Sequence, residues 1–114
     1  MATNNESPSG PDDHPFEDDE AREIAVTVVR KMMNDAIYGK NKITVDTAKN
    51  RYCLVHNQGK GEQVIRELIR RPEHPVEAYG GERDNIRLVD YDESRDFVEE
   101  YGQGDEFFPK PPWR

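Results

Sequence analysis

The sequence predicts an α+β fold, a small antiparallel or mixed four-stranded sheet with two to three helices in the order α-β-β-α-β-β-α, preceded by a disordered N-terminal tail. Three observations lead there. Apolar residues recur at helical spacing over residues 18–38 and again over 62–71. Short alternating runs bounded by turn residues fall between and after these segments. Apolar side chains concentrate between Ile24 and Tyr101, which suits a single domain in a chain of 114 residues.

Residues 1–16 read as a disordered acidic tail, because Ser7–Pro15 holds three prolines and almost nothing apolar to offset the entropy of ordering. The domain then spans 17–106. A helix is expected over Asp18–Tyr38, with acids in its first turn where the helix dipole favours them, and with Gly39 as a left-handed cap. It carries two apolar stripes, Ala21-Ile24-Ala25-Val28-Met32-Ala36 and Val26-Val29-Met33-Ile37. So wide an arc is either enclosed by its own domain or shared with a second subunit. Lys42–His56 reads as a hairpin: Ile43 and Val45 alternate with Thr44 and Asp46, Thr47–Asn50 turns, and Arg51–His56 returns. Asn57–Gly61 reads as a loop. A helix over Glu62–Arg71 presents Val64, Ile65, Leu68 and Ile69, pairs Glu62 with Arg66 and Glu67 with Arg71, and stops at Pro72. Strands follow at Val76–Tyr79 and Ile86–Tyr91. A last helix, capped by Asp92 or Ser94, buries Phe97, Val98 and Tyr101 before Gly102. Residues 107–114 form an aromatic and proline-rich tail.

The net charge of −8 is segregated: residues 1–20 carry −7, residues 21–75 carry +5, and residues 76–114 carry −6. The basic block supplies a candidate anion-binding set: Lys40, Lys42, Lys49, Arg51, Lys60, Arg66, Arg70 and Arg71. Such a set suits phosphate contacts, and hence nucleic acid or another polyanion, although only Tyr38 and Tyr52 lie beside it for base stacking. The acids of the last block suit the opposite role, a surface that blocks a basic groove on a partner. Sequence blocks of opposite sign can also simply cancel in space.

Chemistry is sparsely marked. Asn57–Glu62 has glycines and Lys60 ahead of a helix but no phosphate-loop pattern. His14, His56 and His74 are scattered, and Cys53 and His56 would point to opposite faces of a strand. One cysteine makes no internal disulfide, and no paired ligand pattern for zinc occurs. Asp90-Tyr91-Asp92-Glu93 suits a divalent cation less simply than it suits a helix cap. The C-terminal Pro109-Lys110-Pro111-Pro112-Trp113-Arg114 fits a polyproline II ligand; alternatively Phe107, Phe108 and Trp113 fold back onto the domain. The N-terminal residues show no signal-peptide pattern, and no window approaches the ~20 apolar residues of a membrane span, so a cytoplasmic protein is expected.

The expectation is a small, non-catalytic regulatory or adaptor protein that acts by protein–protein interaction, as a homodimer or as an acidic inhibitor, with no cofactor and no metal. Its partner-binding residues would be Val26, Val29, Met33 and Ile37 on the first helix and Phe107, Phe108, Pro109, Pro112, Trp113 and Arg114 in the tail. The alternative is a nucleic-acid or polyanion-binding protein using Lys40–Arg71.

Overall fold

The computed structural model describes residues 15–79 and 82–102. The chain runs α1 (Asp19–Asn34), β1 (Ile43–Thr44), α2 (Val45–Tyr52), a 3-10 turn (Val55–Asn57), α3 (Gln58–Arg70), β2 (Val76–Tyr79), β3 (Glu82–Leu88) and α4 (Tyr91–Tyr101). It is α+β, as the sequence predicts, but among the described residues it has four helices and a three-stranded antiparallel sheet in the order β1-β3-β2.

The predicted hairpin over 42–56 is the element that differs. Only Ile43 and Thr44 pair, with Ile86 and Asn85 of β3. Thr44 then turns the chain into α2: its hydroxyl oxygen accepts the backbone N–H of Thr47 at 3.0 Å, satisfying a donor that a helix start leaves orphaned. Asp46 stands in the first turn and Lys49 and Arg51 in the last, as the dipole favours. Val45, Ala48 and Tyr52 recur at helical spacing and are buried. Alternation of Ile43 and Val45 therefore marks a strand end meeting a helix start. The apolar run Tyr52–Val55 does not return as a strand either. It leaves α2, and Leu54 and Val55 face outward.

In α1, Asp18 caps the N-terminus through the N–H of Ala21 at 2.8 Å. The helix stops earlier than the sequence suggests. Ala36 takes φ = 57°, the N–H of Ile37 reaches the carbonyl of Met32 at 3.1 Å, and that of Ala36 reaches Met33 at 3.1 Å. This double bond pattern closes a helix with a left-handed residue. Glycine usually holds that place; here Gly39, also left-handed, serves the next turn instead.

β2 and β3 pair with Val76 opposite Leu88 and Glu77 opposite Arg87. Ile86 and Leu88 are wholly buried while Asn85 and Arg87 are partly exposed, so the helices cover one face of the sheet. Beyond β3, the cap of α4 is Asp90, which accepts the N–H of Glu93 at 2.7 Å, and the helix ends at Gly102. Both stripes of α1 lie in the core, Ala36 alone excepted at half-buried. Phe16, which composition places in the tail, also belongs to the core: its ring stacks on His74 at 5.7 Å and meets Phe97 and Tyr101 edge-on.

Candidate protein-binding surface

The basic block does not survive folding as a basic surface. Lys49 meets Glu62 at 2.9 Å and Asp46 at 3.5 Å, Arg51 meets Asp35 at 3.5 Å, and Lys60 meets Asp18 at 2.8 Å and Glu20 at 3.2 Å. Arg66 bridges Glu62 and Asp84 at 3.1 and 3.2 Å, while Arg70 and Arg71 both reach Glu67. The pairing with Lys49, then with Arg66, holds the Glu62 carboxyl below its usual range. Of the candidate anion ligands only Lys40 and Lys42 lack a carboxylate partner among the described residues, and the Lys42 ammonium lies 5.7 Å from the centre of the Tyr79 ring.

The segment Asn57–Gly61, read as a loop, is already α3 from Gln58 onward. Gly61 brings that helix against Cys53: a Cβ at Gly61 would stand 2.5 Å from the Cys53 sulfur. The glycine therefore serves helix packing. Burial pushes the Cys53 thiol up, Lys31 opposing only in part, which leaves a protonated and weakly nucleophilic sulfur.

The candidate partner residues Val26, Val29, Met33 and Ile37 are all buried beneath their own chain. Those of the C-terminal tail, Phe107 to Arg114, lie outside the described residues. Exposed and apolar among the described residues are Val89 and, far more open, the pair Leu54 and Val55 at 65% and 85%, beside a groove of about 270 Å³ whose lining includes Ile24, Thr27, Lys31 and Cys53.

Charge accumulates without a counterpart on α4. Asp92, Glu93, Asp96 and Glu100 are exposed and make no ion pair among the described residues; Glu99 takes the one arginine of the helix, Arg95, at 3.2 Å. Glu93, Asp96, Phe97, Glu100 and Tyr101 follow one another at three- and four-residue spacing and so share a face. Across from them lies the segment Glu73-His74-Pro75, and the two enclose a groove of about 310 Å³. Arg22 fastens this end of α4 to α1. It is 1% exposed, donates from Nη1 to the carbonyl of Tyr101, pairs with Asp19 at 3.1 Å and approaches Glu23 at 3.6 Å.

His74 is the residue in this groove that its sequence context hides. It stands two residues after a helix-stopping proline and reads as a loop histidine, yet it is 3% exposed, stacked on Phe16 and edge-on to Phe97. Burial draws its pKa below 6.5, while the charge of Glu73 and a hydrogen bond to the Leu68 backbone act upward. The imidazole is therefore neutral near pH 7, with one nitrogen able to accept. The i, i+3, i+7 carboxylates of α4 were visible in the sequence; a fold that sets them against residues 73–75 was not.

Among the described residues no three His, Cys, Asp or Glu side chains converge for a metal ion, and no helix is long and apolar enough to cross a membrane. Comparison of the chain with protein-family models, with curated proteins and with solved structures yields no match.

Proposed function

We propose that this protein is a non-catalytic regulatory or adaptor protein that acts by binding another protein, and that the surface it offers is the acidic face of α4. One observation carries the reading. Six of eight candidate anion ligands are neutralised by carboxylates of the same chain, whereas four carboxylates of α4 make no ion pair among the described residues. An unmatched field of one sign attracts and orients a partner of the other. A polyanion would have to displace Asp18, Glu20, Asp35, Glu62 and Glu67 from existing pairs, which disfavours the nucleic-acid alternative. The partner is thus a protein with a basic surface.

The test is a titration of the full chain with a labelled basic peptide and, separately, with single- and double-stranded DNA and RNA, across a salt series. Peptide binding that weakens as salt rises, with no nucleic-acid binding, is the expected result. Tight nucleic-acid binding at moderate salt would overturn the reading in favour of the basic block.

A further inference from the structure

We infer that the outer face of α1, with Leu54 and Val55 beside it, is where two copies of this chain pair about a two-fold axis. The inference goes beyond the α4 reading and does not depend on it. An exposed apolar pair does not by itself say what covers it. The occupant is argued here from charge as well as from apolar surface.

Glu20, Glu23, Thr27 and Lys31 follow one another on α1 at three- and four-residue spacing. The two acids are exposed, and Thr27 and Lys31 are half-buried. This face is therefore acidic where the helix starts and basic where it ends. Lys31 makes no ion pair among the described residues, and Glu23 reaches only the buried Arg22, at 3.6 Å. Glu23 and Lys31 stand eight residues apart, about 12 Å along the axis. Such a face is its own complement. Laid antiparallel on a second copy, Glu23 of each chain meets Lys31 of the other; laid parallel, acid would face acid. The helix dipole favours the same order of charge, so the pattern alone does not require a partner.

The surface between those two ends supplies the second observation, for it is apolar. The chain that leaves α2 runs along this face: the Lys31 charge acts on the Cys53 thiol at one end, and Lys60 holds Glu20 at 3.2 Å at the other. Between them stand Leu54 and Val55, the two most open apolar side chains of the described residues. Leu54 shares the rim of the 270 Å³ groove with Ile24, Thr27 and Cys53. An apolar projection thus lies next to a partly apolar recess, and both lie between charges of opposite sign. An isologous interface has this requirement: whatever projects from one copy must find its recess in the same patch of the other. A foreign partner would have to bring an acid, a base and a recess in matching order, and a second copy already has them. The patch is small beside the interfaces of obligate dimers, so the pair forms reversibly. Pairing also holds two acidic α4 faces in one particle.

The experiment is sedimentation equilibrium on the full chain from about 1 µM to about 1 mM, where a monomer should give way to a dimer. Leu54→Asp should weaken the dimer about tenfold or more and leave the circular dichroism spectrum and melting temperature of the monomer unchanged, since the side chain is exposed. Glu23→Lys and Lys31→Glu each set like charges against one another at both ends, and each should weaken self-association about tenfold. An equimolar mixture of those two variants restores opposite charges at both ends and should form a mixed dimer within about threefold of the parent's affinity. A purely structural role for either residue would give no such rescue. A chain that stays monomeric throughout the range would overturn the inference. So would a dimer indifferent to Leu54→Asp, or a mixture that associates no better than either charge variant alone. Basic-peptide binding by a chain that never dimerises would leave the α4 reading standing, and dimerisation without peptide binding would leave this one.

Discussion

At Ala36 the chain accepts a backbone conformation that an L-residue resists. Its left-handed φ of 57° closes α1 through the bonds to Met32 and Met33. The left-handed form costs a residue with a Cβ about 1–2 kcal/mol, part of which glycine gives back through its freer unfolded state. Ala36→Gly should therefore stabilise the protein by about 0.5–1 kcal/mol, read as a rise in denaturant midpoint. A fall would mean that the Ala36 methyl contributes more packing than its half-buried position implies. His74 makes a prediction in pH. Its folded pKa lies below the unfolded value of 6.5, so the unfolded chain takes up a proton first. The stability present above about pH 6.5 is lost as pH falls through the folded value. Glu73, Glu67 and Arg71 on its own side and Glu93, Asp96 and Glu100 from α4 face the same region. His74→Phe keeps the ring stack and removes the titration, so its melting temperature should depend less on pH between about 7 and 5 than that of the parent. Parallel curves would show that other groups set the slope.

Among elements, α1 and α4 were legible from their helical period and β2 from its turn-bounded run, although α1 closes at Ala36 ahead of Gly39 and the cap of α4 is Asp90 in place of Asp92 or Ser94. α2 was not. Eight residues hold little more than two turns, and its signal, Val45-Ala48-Tyr52, begins inside the alternation Ile43-Thr44-Val45 that suggests a strand. Only the threonine cap decides between them. Thr44→Ala should cost about 1 kcal/mol and speed amide exchange in Val45–Asn50 more than in α1. Uniform exchange across the two helices would deny the cap that local role. α3 was found but entered late, since Gly59 and Gly61 look like loop residues. They are separable: Gly61→Ala drives a methyl into the Cys53 sulfur and should destabilise, whereas Gly59, with open space around it, should gain about 0.5–1 kcal/mol as alanine. The reverse order in thermal melts would refute the close contact between α3 and Cys53. Leu54 and Val55 show the converse: an apolar run reads as interior, and these two side chains are outside.

For the molecule as a whole, blocks of opposite charge along the sequence do cancel in space over the basic segment, as the charge count allowed, but which groups pair is not visible in the count. Lys60 lies 40 and 42 residues from its acidic partners, and Arg66 lies 18 from Asp84; no reading of neighbours along the chain brings those groups together. Folding pairs six of the eight basic candidates with acids of the same chain and leaves Asp92, Glu93, Asp96 and Glu100 of α4 without an ion pair among the described residues. The candidate groove was half legible on the same terms: its carboxylates and rings sit on one helical face, and its opposite wall, near His74, depends on tertiary placement.

The Phe16 and Tyr101 rings, 5.6 Å apart, and the arginine that ties α1 to the end of α4 put the first and last described segments side by side. A domain whose entry and exit are neighbours behaves as a cassette. It can be spliced into a surface loop of a host protein without prying that loop open, and its own ends can be joined by a short linker and reopened elsewhere. Because the α4 groove lies at the same pole, through Tyr101, a host would carry it close to the junction, where tethering raises the local concentration of any basic segment the host itself displays.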